Sequence, residues 1–223
     1  AAVIAGTVAV TAYLMSSDPE VHRIILAVGA AWWLVACGLV VRYPKQVSLW
    51  QAKPIRAVLG LLVLIPMWVG FMTLKSQPYS ALIIVYVMLL IWGADTGAYF
   101  AGKTWGNAKL APNVSPGKSW AGFWGGLATT GLIAVIFSLC VHQWLRPMTL
   151  SDFALLAVMT FITAIISVMG DLVESMMKRH RGIKDSSQLL PGHGGVLDRI
   201  DSMASAVPVF AFFMLLFGWQ LAA

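Results

Sequence analysis

Apolar residues run along this chain in long unbroken blocks rather than in alternation. Seven blocks are nearly free of charge, at about 2–16, 24–41, 57–74, 81–101, 120–141, 153–174 and 200–220. A hydrocarbon layer of about 30 Å is crossed by roughly 20 apolar residues in an α-helix. Inside such a layer every backbone N–H and C=O has to be satisfied internally. Continuous apolar blocks therefore predict helices, whereas alternation would predict barrel strands. The first block is short. Pro66 and Pro208 fall inside the third and seventh blocks and are expected to kink those helices. Gly122, Gly126 and Thr130 are spaced four apart in the fifth block, where small side chains permit close helix packing. The expected fold is all-α, a polytopic membrane bundle of about seven transmembrane helices.

Charge then orients the bundle. Twelve of the fifteen Lys and Arg lie in alternate connections: Arg42, Lys45, Lys53 and Arg56; Lys103, Lys109 and Lys118; and five more between the sixth and seventh blocks. The other connections carry Arg23, Lys75 and Arg146. This asymmetry assigns the basic loops, 42–56, 102–119 and 175–199, to the cytoplasm and the C-terminus to the other side. The connections are too short to hold a soluble domain. Residues 1–223 are read as one transmembrane catalytic domain, with 1–80 supplying scaffold helices and 81–223 the catalytic helices and loops.

Composition agrees. With 59% hydrophobic and 11% charged residues, the chain has about half the charge of an ordinary soluble domain. The net charge of +6 is spread between apolar blocks, which suits an anionic lipid surface rather than nucleic acid. Cys37 and Cys140 fall within or at the ends of apolar blocks and read as packing residues, not as a disulfide. The apolar start at Ala1, without Met or a basic leader, reads as an incomplete N-terminus.

Acids within or beside membrane helices are expensive and need a reason. Asp95 lies about 9 Å inside the end of the fourth block, at ~1.5 Å rise per residue. Asp171 and Glu174 close the sixth block, and Asp198 and Asp201 open the seventh. In each pair the spacing of three puts both acids on one helix face. All five therefore collect at one end of the bundle. A purely structural account has Asp198 and Asp201 complementing a helix N-terminus, Asp171 pairing with Lys178 and Glu174 with Arg179. The alternative is a site where carboxylates hold magnesium and cations hold phosphate. The segment 175–201 favours the second. It holds five of the fifteen Lys and Arg, three of the nine acids and two of the four His. It also contains the turn Gly192-His193-Gly194-Gly195 just before a helix start, where backbone amides suit anions. A second polar stretch, Ser115-Pro116-Gly117-Lys118-Ser119, has phosphate-loop residue types without GxxxxGK[ST] spacing. The sequence contains no CxxC, HExxH or GxSxG.

The pattern Ser175-x-Met177-Lys178-Arg179-x4-Lys184-Asp185-x-Ser187-x2-Leu190-Pro191-x-His193-Gly194-Gly195-Val196-x-Asp198-Arg199-Ile200-Asp201 resembles the signature of the phosphatidate cytidylyltransferases, also called CDP-diacylglycerol synthases. Ala94–Phe100 and Ser115–Trp120 resemble that family's other polar stretches, with Gly117 and Ser119 departing from the expected Lys and Thr. The helix layout is similar to a bacterial member that has lost some N-terminal spans. The resemblance implies transfer of CMP from CTP to phosphatidic acid at the cytoplasmic face of a bacterial inner membrane. It implies dependence on magnesium, with a monovalent cation such as K+ sharing the site. It implies metal-binding by Asp171, Asp198 and Asp201, which with Lys178 make the catalytic set. Substrate contacts are expected from Asp95, Ser115, Lys118, Ser175, Arg179, Lys184, His193, Gly194, Gly195 and Arg199. His193 is assigned to positioning, since a phosphate monoester with a second pKa of about 6 hardly needs a base. Two rival readings are a CTP-dependent lipid kinase and an ion-coupled transporter using Asp95 and Asp171. A transporter's acids belong near the midplane, not at one surface. A homodimer is left open.

Overall fold

In the computed structural model, residues 18–192 and 194–221 are described. Six helices in this range are long and apolar enough to cross a membrane. They are α1 (Pro19–Val41), α2 (Lys53–Lys75), α3 (Ser80–Trp105), α4 (Trp120–Trp144), α5 (Leu150–His180) and α6 (Leu197–Phe217). The first apolar block, at 2–16, lies outside the described residues. The other six blocks each became one helix, mostly extended by up to two turns into flanking polar sequence, while the last ends at Phe217, three residues short of its block. The clearest case is α5, which carries Lys178, Arg179 and His180 in its last turn.

The helix starts follow from local chemistry. Asp18 accepts a hydrogen bond from Glu20 N at 2.9 Å, with Pro19 in the first turn of α1. Ser119 Oγ accepts from Gly122 N at 3.1 Å to open α4. Thr149 and Asp152 form a reciprocal capping box at the start of α5. At the end of α6, Gly218 takes a positive φ of 61°. Pro66 and Pro208 do not divide their helices, and α2 and α6 each run through the proline as one element. Both prolines are packing surfaces, Pro66 against Gly29 of α1 and Pro208 against Gly70 of α2.

Helix α6 is the centre of the bundle, and every residue from Ala204 through Ala211 is buried. One part of the core joins Leu26, Leu90, Leu156, Met159, Phe210 and Met214 around Tyr86. The Tyr86 ring stacks on Phe137 at 4.0 Å, and its hydroxyl is hydrogen-bonded to Thr160. A second part, around Trp33, Trp50, Leu172, Val173 and Met176, lies nearer the end with the basic loops. The outward faces keep large apolar side chains such as Leu34, Val135 and Ile136 exposed, as expected of surfaces that meet lipid. Helices α3 and α4 pack most closely. A Cβ at Gly122 or Gly126 would come within 2.9 or 2.8 Å of the carbonyl oxygens of Ala98 or Ala94, so the small-residue spacing serves close packing.

One element departs from the all-helical expectation. The polar stretch before α4 is not an open loop but a small antiparallel hairpin, β1 (Lys109–Ala111) and β2 (Ser115–Ser119), pairing Lys109 with Ser119 and Ala111 with Ser115.

Candidate active site

The hairpin, the last turns of α5, the loop 181–196 and the first turns of α6 meet at the end of the bundle that carries the basic loops. Strand β2 carries Lys118 to Asp171, with Nζ 2.7 Å from Oδ2 and 3.4 Å from the Val168 carbonyl. Ser175, one turn further along α5, donates to the other Asp171 oxygen at 3.2 Å. Arg179 Nε donates to the Val114 carbonyl at 3.3 Å, tying the end of α5 to the hairpin.

Lys178 stands between two helices. Its Nζ is 2.7 Å from Glu174 Oε2 on α5 and 2.8 Å from Asp198 Oδ1 on α6. The expected structural pairings of Asp171 with Lys178 and Glu174 with Arg179 are therefore not formed. Lys178 is instead claimed by the acid one turn before it, at the favourable i, i+4 spacing, while Lys118 arrives from the hairpin to take Asp171.

Asp198 also organises the loop. Its Oδ2 accepts from Gly195 N at 2.6 Å, Ser186 N at 2.9 Å and Ser186 Oγ at 3.0 Å. The amides around the glycine turn, expected to offer an anion site, thus already hold an internal carboxylate. Gly194 has a φ of 79°, and a Cβ there would meet Asp198 Oδ2 at 2.7 Å. Only glycine fits that combination of conformation and approach. Gly195 is buried against Ser186 and Ser187. The loop closes on itself through Leu190 N donating to Gly194 O at 2.9 Å. His193 lies outside the described residues.

Asp201 sits one turn after Asp198, and its Oδ1 accepts from Ser202 N at 2.7 Å. Its charge interacts with Asp171 and Lys118, and Glu174 lies against both Asp198 and Asp201. Asp95, from α3, interacts with Lys118, Asp171 and Asp201. Four of the site acids are thus gathered from α5 and α6, with Asp95 facing them from α3. Lys184 and Arg199 are exposed, in the loop and on the first turn of α6 respectively, and Ser115 is half-buried at the start of β2.

Glu174, one of the five acids but outside the set expected to bind metal or substrate, is the most enclosed of them. Among the described residues no hydrogen-bond partner reaches its buried Oε1. The readable signal was its i, i+4 relation to Lys178. Among the described residues no three His, Cys, Asp or Glu side chains already form a joint ligand set. The donor chemistry nonetheless suits a hard divalent cation: several carboxylates stand in one place, and among the described residues the buried Glu174 Oε1 has no hydrogen-bond partner.

Two cavities flank this cluster. One, of about 400 Å³, lies between α3, α4, the hairpin and α5, and is lined by Asp95, Tyr99, Lys103, Lys118 and Ser119 together with several glycines. The other, of about 250 Å³, lies between α1, α2, α5 and α6, and is lined by Trp32, Trp33, Arg56, Glu174 and Asp201 among mostly apolar neighbours.

Six helices long and apolar enough to cross a membrane, with paired lysines and carboxylates at one end, define the class: a multi-pass membrane protein with a charged cluster at the ends of its helices. The sequence matches the profile of the cytidylyltransferase family over residues 1–217, and the chain belongs to that family. It is 46% identical over 215 residues to the phosphatidate cytidylyltransferase of Pseudomonas aeruginosa, spanning 96% of this chain and 78% of that protein. Identity to the enzyme of the same name from Haemophilus influenzae is 46% over 203 residues, covering 87% of this chain and 69% of the relative. To that of Bacillus subtilis it is 38% over 164 residues, 71% of this chain and 59% of the relative.

Proposed function

We propose that this chain is a phosphatidate cytidylyltransferase, making CDP-diacylglycerol and pyrophosphate from CTP and phosphatidic acid. The observation that carries this reading is the pair of lysine–carboxylate links, Lys118–Asp171 and Lys178 with Glu174 and Asp198, gathered at one end of the bundle in a member of the cytidylyltransferase family. A phosphate oxygen of phosphatidic acid attacks the α-phosphorus of CTP. The bond from that phosphorus to the bridging oxygen of the β-phosphate breaks, and pyrophosphate departs. Both reactants are anions, so catalysis consists mostly of positioning and charge neutralisation.

Lys118 and Lys178 are the cations best placed to exchange a carboxylate for a phosphate oxygen. Arg179 holds the hairpin against α5 and sets where Lys118 stands. Ser175 fixes the orientation of Asp171. The 400 Å³ cavity, with Lys103, Lys118 and a glycine-rich wall, is assigned to CTP. Asp171, Asp198 and Asp201 would hold magnesium, with a monovalent cation such as K+ beside it. When bound, a divalent ion reduces repulsion between the reactants and stabilises the leaving pyrophosphate. His193 is assigned to substrate positioning. We place the site on the cytoplasmic side of a bacterial inner membrane, where soluble CTP meets a lipid headgroup.

The test uses purified protein, phosphatidic acid, magnesium and CTP labelled at the α- or γ-phosphate. The proposal expects α-label in the lipid and γ-label in pyrophosphate. Label from the γ-phosphate in the lipid would make the protein a kinase, and no transfer at all would remove the enzyme assignment.

A further inference from the structure

The carboxylate cluster has a second side, away from the hairpin. Glu174 and Asp201 also line the 250 Å³ groove between α1, α2, α5 and α6. The rest of that groove is nearly all hydrocarbon and indole, from Trp32, Leu59, Val63 and Met177. Among the described residues its one cation is Arg56, in the first turn of α2 at the same end of the bundle as the cluster. Arg56 is half-buried, and among the described residues its guanidinium forms no ion pair or hydrogen bond. An unpaired, half-buried guanidinium over an apolar trough lacks an anion, and a planar donor fork suits phosphate.

We infer that this groove is the subsite for the lipid substrate, a diacylglycerol phosphate monoester. Its phosphate meets Arg56 and its glycerol-proximal chains lie along Trp32, Leu59 and Val63. The inference rests on the phosphatidate cytidylyltransferase reading and deepens it. The nucleotide suits the larger cavity better, because its triphosphate carries more charge than a phosphate monoester and that cavity offers Lys103 and Lys118, whereas the groove offers Arg56 in a nearly apolar wall that suits acyl chains. The two reactants thus approach the carboxylate cluster from opposite sides, the nucleotide past the hairpin and the lipid from between α1 and α2. Residues before the catalytic helices, assigned only a scaffold role from the sequence, supply half of this wall.

Gly60 provides a clean way to test the groove. It lines the wall, and among the described residues a Cβ there would meet nothing within 4 Å. Gly60→Phe therefore starts a bulky side chain into the groove without a clash at Cβ and improves helix propensity, and a melting temperature in detergent close to that of the parent checks that it folds. With dioctanoyl phosphatidic acid in detergent micelles, Gly60→Phe and Arg56→Gln are each expected to raise KM for the lipid at least tenfold. KM for CTP should stay within twofold, and Arg56→Lys should recover part of the loss. A matching rise in KM for CTP, or an unchanged KM for both substrates, overturns the inference.

Binding is read separately with phosphatidic acid brominated near the glycerol, which quenches indole fluorescence on contact. Quenching should fall in Trp32→Phe and in Gly60→Phe. If quenching follows this pattern but wild-type protein makes no CDP-diacylglycerol, the groove stands and the cytidylyltransferase reading falls. Quenching that is insensitive to both substitutions sinks the groove, whatever the activity.

Discussion

Lys178 neutralises two carboxylates on two helices, so its removal leaves Glu174 and Asp198 close together and uncompensated. Lys178→Ala is expected to lower turnover by several orders of magnitude, measured as labelled lipid formed per minute. Arginine should not restore it, because a planar fork cannot replace a point charge held between two oxygens. The two aspartates of α6 are expected to fail in different ways. Asp201 accepts a short hydrogen bond from the adjacent Ser202 N and, among the described residues, no hydrogen bond from the loop 181–196. Asp201→Asn should abolish activity, with size, expression and membrane insertion unchanged. A mere helix-terminal role would cost little, since Asn serves about as well as Asp there. Asp198 gathers Lys178, Ser186 and Gly195. Hydrogen bonds to a charged group are worth roughly 1.5–3 kcal/mol each, so Asp198→Asn should also loosen the loop 181–196. Limited proteolysis separates the two: new cleavage within this loop is expected for Asp198→Asn and not for Asp201→Asn.

At the scale of elements, α5 and α6 have to be close for the cluster to exist, and Gly170 sets that distance. A Cβ at this position would stand 2.7 Å from the Asp201 carbonyl oxygen and collide with Ser205 Oγ. Gly170→Ala should therefore cost about 1–3 kcal/mol in overpacking and lower the melting temperature in detergent. It should also reduce turnover more than tenfold, since the displaced residues carry Asp171 and Asp201. Gly126→Val, which separates α3 from α4, is expected to lower melting temperature as well. Both helices at this level were legible as apolar blocks, and the small-residue spacing announced their close packing. Asp171, Glu174, Asp198 and Asp201 could be placed at one end because i, i+3 spacing and block boundaries are local properties. Which lysine meets which acid was not legible. Lys118 reaches Asp171 across more than fifty residues by way of a hairpin whose strands are too short to announce themselves. Ser186 carries no periodic signal, and its contact with Asp198 arises only when the loop folds back. The Arg56 groove was hidden for the same reason, since its walls come from four helices.

For the whole molecule, the charge asymmetry of the loops predicts a single orientation. A cysteine introduced at Lys109 should resist an impermeant thiol reagent in intact cells and react after permeabilisation. Labelling in intact cells would reverse the assignment of every loop. At the opposite end the bundle is fastened. Arg146 contacts both Asp152 oxygens at 3.0 Å and also donates to the Gln220 carbonyl at 3.0 Å, while His142 Nδ1 accepts from Met148 N at 2.9 Å. The turn between α4 and α5 is thereby pinned to the chain that follows α6. A bundle riveted at one end and held at the other by ion pairs that phosphates would displace is expected to open as a pair of tweezers does. With the pivot near Arg146 and the jaws near Lys118 and Lys178, a small tilt of α5 against α6 at the pivot would become a larger gap at the reacting groups. Hydrogen exchange should accordingly be slow around 145–149 with or without substrates, and around 181–196 it should slow only once CTP is bound. Replacing Arg146 with Ala would free the pivot, and the protection gained from CTP at the far jaws should shrink although no residue there has changed.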